Sequence, residues 1–161
     1  MFCFSFMLFS RRVSKLTLFV GAIALVAIAP SQLCAQRSEP EPAFSDFKGV
    51  RIGTSADESR KKLGNPRDKG DDQDFYVFND TQAVQIFYDK TAKVSAISID
   101  YMTGASGIPS PKEVLGTEAD KKPDGSVYKL VRYPKAGFWV SYSRTAGDTP
   151  TTTVTMQKIE H

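Results

Sequence analysis

Histidine and cysteine, which carry most nucleophilic, general-base and metal-ligand chemistry near neutral pH, are almost missing from this chain. The one histidine is the last residue, His161, and the two cysteines are Cys3 and Cys34. A terminal residue is ordinarily frayed, so no histidine general base is expected. Carboxylates are the remaining candidates. Asp68, Asp71, Asp72 and Asp74 cluster in one stretch. Their spacing lacks the alternating oxygen ligands and closing glutamate of an EF-hand-type calcium loop, so the cluster reads as a solvated loop. A hydrolase using two carboxylates would need them to converge within about 5–10 Å. Asp100 and the 71–74 cluster are the nominees for that role. No serine or lysine stands in a nucleophile-elbow or Ser-x-x-Lys context, and no glycine-rich phosphate loop occurs. The expectation is a protein that is not an enzyme, with no catalytic residue, cofactor or metal.

Aromatic side chains are what the sequence holds in excess. Phe75, Tyr76, Phe87, Tyr128, Tyr133 and Trp139 all fall in stretches that read as strands. One sheet face should take Val84, Ile86, Tyr88, Ile97, Ile99, Phe138, Val140 and Tyr142. The opposite face then carries Phe87 and Trp139, joined by Tyr76 or Tyr133. These four are the predicted partner-binding residues, because aromatics exposed on a polar sheet face are hot-spot material for a protein partner. The alternative is a small molecule or lipid held in a cleft between the sheet and loops 65–73 and 117–125.

The elements that must position these residues begin after an export segment. Arg11, Arg12 and Lys15 precede a thirteen-residue apolar run at 16–28, then Pro30, Ser31 and Ala35. That order reads as a signal peptide over 1–35, cleaved after Ala35, with a run shorter than the ~20 residues that span a bilayer. Both cysteines would leave with it. Of the 21 Lys and Arg, three lie in this segment, so 18 would remain against 18 Asp and Glu. A balanced chain gives no electrostatic case for nucleic acid. The expected location is periplasmic or secreted.

Residues 36–45 are polar with two prolines and read as a flexible tether. Residues 52–66 carry the signals of a short helix: Ser55 as N-cap, Glu58 placed for a capping box, basic residues in the last turn, then Gly64 and Pro66. The period then changes to two over 74–78, 82–88 and 93–101, three strands of an antiparallel meander. A second cap, Ser110-Pro111-Lys112-Glu113, opens a similar succession, with strands at 126–133, 138–142 and 151–159. The expected fold is α+β: tandem units at 47–102 and 108–160 within a domain over 46–160, each one helix plus three strands. The helices should pack on one face of a shared sheet.

Residues 52–66, I-G-T-S-A-D-E-S-R-K-K-L-G-N-P, resemble the start of the SmpA/OmlA (BamE-like) outer-membrane assembly lipoproteins. The shared residues are Ile52, Gly53, Ser55, Glu58, Leu63, Gly64 and Pro66. Tandem use of such a unit is similar to the β-lactamase inhibitory proteins (BLIP-like). The resemblance implies an envelope or secreted protein partner, possible outer-membrane association, and either an assembly or accessory role or enzyme inhibition. The family's apolar residues near Ser59 and Lys62 are not matched, and its lipidated cysteine is missing because Leu33 precedes Cys34.

Overall fold

Hydrophobic alternation with period two dominates the chain after residue 72, and the strands form where it predicts. The computed structural model describes residues 41–160. The signal-peptide reading over 1–35 and the start of the tether lie outside them. Helix α1 spans Ala56–Leu63 and α2 spans Pro111–Leu115. The strands are β1 (Asp68–Lys69), β2 (Gln73–Asn79), β3 (Gln82–Tyr88), β4 (Val94–Tyr101), β5 (Val127–Tyr133), β6 (Phe138–Arg144) and β7 (Thr152–Lys158). All seven join one antiparallel sheet in the order β1-β2-β3-β4-β7-β6-β5.

This corrects the expected α+β class: the fold is largely β. The helices are only 8 and 5 residues long. Within α1 only Ala56 and Ser59 are buried, and within α2 only Val114 and Leu115. Helices with so few apolar positions cannot form a layer, since a packed layer needs a broad apolar stripe. The tandem helix-plus-meander description gives way to one continuous sheet with two small helical covers. Residues 65–73 are also not wholly loop, because Asp68 and Lys69 pair with Phe75 and Asp74.

The core lies on one sheet face. Ile86, Ile97, Met156 and Val140 follow one another across β3, β4, β7 and β6, and Val84, Ile99, Val154 and Tyr142 form the next row. All eight are buried. Phe47 and Val50 cover part of this face, with Phe44 and Ile52 packed against it. The tether's last residues thus lie on the domain rather than apart from it.

The two helix starts differ. In α2, Ser110 N–H donates to Glu113 Oε2 at 2.7 Å while Glu113 N–H donates to Ser110 Oγ at 3.3 Å, a reciprocal capping box. In α1, Glu58 N–H donates to Ser55 Oγ at 3.3 Å, but the Glu58 carboxylate turns to Lys62 Nζ, 2.8 Å away. An i,i+4 ion pair has taken the carboxylate that the capping box needed.

Candidate functional site

The face of the sheet away from the core is built by the other half of each alternation. Phe87 on β3 pairs with Ala96 on β4, Ala96 with Gln157 on β7, and Gln157 with Trp139 on β6. Phe87 and Trp139 therefore stand in one row on the open face, both half-buried. Three inter-strand steps separate them, about 14 Å at the usual strand spacing. The next rows hold Gln85, Ser98, Thr155 and Ser141, then Ala83, Asp100, Thr153 and Ser143.

Side-chain size gives this face its shape. The middle of the face presents mostly short residues (Ala96, Ser98, Thr153 and Thr155 on β4 and β7, with Ala83 on β3 and Ser141 and Ser143 on β6), while rings and long apolar chains stand toward its flanks. Phe75 and Phe87 rise on one side; Trp139, Leu130 and Tyr128 rise on the other. Tyr128 is 54% exposed and Leu130 is 37% exposed. The result is a trough running along the strands, with a hydroxyl floor and aromatic walls. Near Phe87 it deepens into an open groove of about 510 Å³, lined by Gln85, Phe87, Ala96, Ser98, Thr155 and Gln157, with Asp72, Tyr88 and Ser95 completing the lining. On the floor, Ser98 Oγ and Thr155 Oγ1 lie 3.3 Å apart. Thr153 Oγ1 donates to Asp100 Oδ1 at 2.6 Å.

Tyr76 and Tyr133 do not belong to this face. Both are 2% exposed and point into the core. Tyr76 pairs with Val84 in the core row and stacks on Phe78 at 6.1 Å. Tyr133 donates its hydroxyl to Leu115 O at 3.2 Å. Of the four aromatics predicted to meet a partner, the open face brings together Phe87 and Trp139 only. It adds Tyr128, Leu130 and Phe75; alternation with Lys129 sets Tyr128 and Leu130 on one face but would turn them toward the core, and the all-apolar run at 75–78 gives no signal for Phe75.

The acidic cluster divides. Asp71 and Asp72 are exposed, but Asp74 is 1% exposed on the core face. Arg60 of α1 grips it with two bonds, Nε to Oδ2 at 2.8 Å and Nη2 to Oδ1 at 3.0 Å. The Tyr88 hydroxyl donates to Oδ2 at 2.7 Å, and Gly70 N–H donates to Oδ1 at 3.3 Å. Arg60 Nη2 also donates to Gly70 O at 2.9 Å, tying helix, turn and strand together. Gly70 is required there, because a Cβ would sit 2.7 Å from Gln73 O.

Burial pushes the Asp74 carboxyl upward. The hydrogen bonds from Arg60 and Tyr88, the Arg60 charge and the Gly70 N–H together outweigh it and leave the carboxyl below its ordinary value. Burial, with the Asp74 charge beside it, pushes Tyr76 up to about 12. The same causes, burial first, raise Tyr88. Every acceptor of Asp74 is engaged, so the cluster is a tie between elements. Of the nominated carboxylates, Asp74 and Asp100 are kept apart, since Asp74 faces the core and Asp100 the opposite side of the sheet. Among the described residues no group of three or more His, Cys, Asp or Glu could hold a metal ion. No described helix is long and apolar enough to cross a membrane.

No protein-family model matches the chain, and no curated protein does either. Among solved structures, the chain is similar to the crystal structure of a DUF4309 family protein (YjgB) from Bacillus subtilis subsp. subtilis str. 168. The TM-score is 0.47 and the identity 17%, over 70% of this chain and 84% of that one. None of these comparisons points to the SmpA/OmlA or BLIP families.

Proposed function

We propose that this chain is an exported, non-enzymatic binding domain of the cell envelope that engages a protein partner through the open sheet face. Trp139 is the principal anchor, and Phe87 stands at the far wall of the same trough. The observation that carries the reading is the face itself, which no described helix covers. Its apolar residues Leu130, diagonal to Trp139, and Tyr128, one row further along β5, remain accessible, while on the other face of β5 Val127 and Tyr133 are buried. Clustered exposed apolar residues rimmed by polar ones are characteristic of interaction surfaces. Export is supported by the charged and apolar pattern of residues 1–35. The narrower roles, outer-membrane assembly or enzyme inhibition, rest on the fifteen-residue resemblance alone.

The test is capture of partners from envelope extract by the full chain and by its Trp139→Ala and Phe87→Ala variants. Truncating a central aromatic anchor is expected to weaken capture by about thirtyfold, the effect of losing roughly 2 kcal/mol. If both variants recover the same partners as the parent chain, the open face is not the contact surface.

A further inference from the structure

The groove beside Phe87 differs in chemistry from the Trp139 wall. Its lining carries two primary amides (Gln85 and Gln157), the hydroxyls of Ser95, Ser98 and Thr155, the last two in contact, one small apolar floor residue (Ala96), the rings of Phe87 and Tyr88, and one carboxylate, Asp72. Such a set donates and accepts hydrogen bonds without cationic charge. A phosphate or carboxylate ligand would meet no Lys or Arg in the lining, and would meet Asp72 there. A divalent cation would find one carboxylate where several oxygens are needed. A lipid tail or apolar helix face would strip water from hydroxyls and amides without replacing their hydrogen bonds, at about 1–3 kcal/mol for each group.

A neutral ligand rich in hydroxyls or amides, with an apolar C–H face, meets none of these penalties. We propose that this groove is a binding subsite for a neutral oligosaccharide. One sugar ring lies with its C–H face on Phe87 and Ala96, and its hydroxyls exchange hydrogen bonds with Gln85, Ser98, Thr155 and Gln157. The groove's volume of about 510 Å³ falls in the usual range for small-ligand sites. Its open form along the strands lets a chain of sugars continue toward Asp100 and Thr153, the next row of the trough. The proposal extends the reading of the open face as the working surface, and places a second ligand class at its β3–β4–β7 part.

Calorimetric titration of the full chain with chitotetraose and with maltotetraose tests it. Saturable binding of either is expected, weakened about tenfold by Gln85→Ala and by Phe87→Ala, the loss of one hydrogen-bonding or stacking contact. Thermal unfolding followed by circular dichroism, unchanged in both variants, separates lost contacts from lost folding. Trp139→Ala should leave saccharide binding within about twofold while it weakens capture of protein, since its ring lies outside the groove lining. No saturable binding of either tetrasaccharide overturns the subsite. So does binding that survives both groove variants, or saturation instead by an uncharged Ser/Gly/Asn peptide. Protein capture that still depends on Trp139 would then leave the face's protein-binding role standing alone.

Discussion

The two helices are fastened to the same sheet by opposite physics. Helix α1 has a small apolar contact, Ala56 in the core and Leu63 packed against it, and its strongest hold is electrostatic: Arg60 reaches down to the buried Asp74, which Tyr88 and Gly70 also grip. Helix α2 is shorter, yet it sinks Val114 and Leu115 into the core and takes one hydrogen bond from Tyr133 to Leu115 O. Of the basic residues in its last turn, Arg60 is the one met by a buried anion, which the chain supplies from the start of β2. The lesson is that a short helix needs no apolar stripe if one charged side chain is long enough to reach a prepared partner. The cost is dependence on that partner.

The largest effect should come from removing the anion. Asp74→Ala leaves Arg60 facing the core without its partner, and breaking one side of a buried pair typically costs about 3–5 kcal/mol. Urea unfolding monitored by far-ultraviolet circular dichroism measures it. A loss under about 1 kcal/mol would mean that α1 is held by something else. Replacing the group together, with Arg60→Leu, Asp74→Leu and Tyr88→Phe, is expected to recover most of that loss, because apolar substitutes for a buried ion pair are often neutral. The pair also leaves a mark on pH dependence. The folded carboxyl ionises below the unfolded value of about 3.9. Its stabilisation is therefore complete above that value and is lost as pH falls through the lower folded value. Asp74→Asn should flatten the acid limb of the stability profile below about pH 4. An acid limb of unchanged slope would show that Asp74 carries none of it.

The apolar fastening should cost somewhat less to break. Leu115→Ala is expected to lose about 2–3 kcal/mol, in the lower part of the range for buried leucines because the site is at a helix end and can collapse. Unlike the Asp74 change, it should leave the acid limb as it was. If Leu115→Ala steepens or flattens that limb, the two fastenings are coupled and the contrast between them fails.

Strand positions were legible because period-two alternation is a strong signal. The pattern at 82–88 predicts β3, and the strand found is Gln82–Tyr88. Orientation on β2 was not legible. Phe75, Tyr76, Val77 and Phe78 are all apolar, so no polar residue marks which side faces water. One ambiguity there hides two facts at once. Tyr76 and Asp74 are two residues apart and share a face, so placing Tyr76 on the core side would have carried Asp74 inward too. Arg60 stands in the last turn of α1, where complementing the helix dipole explains it equally well. Nothing in one dimension connects it to a residue fourteen positions later. The fold class failed for a different reason: caps at Ser55 and Ser110 announce that helices start, but say little about how much surface they cover. The candidate site was half legible, since Phe87 and Trp139 alternate with apolar neighbours, while the hydroxyl floor between them appears only when β4 and β7 are known to pair.

The smallest expected effect lies at the caps, and it sharpens the same contrast. Ser110 takes part in a two-way exchange with Glu113, whereas Ser55 gives a single acceptor because Glu58 is drawn to Lys62. Ser110→Ala is expected to cost about 1 kcal/mol and Ser55→Ala about half that, each read from the shift in urea midpoint at constant slope. The difference should close in the Lys62→Ala background, where Glu58 is free to turn back to the Ser55 backbone and complete its own box. In that background Ser55→Ala should become as costly as Ser110→Ala. If the two serines cost the same in the parent chain, the ion pair at α1 is not competing with its cap, and the difference between the helix starts is one of geometry without energy.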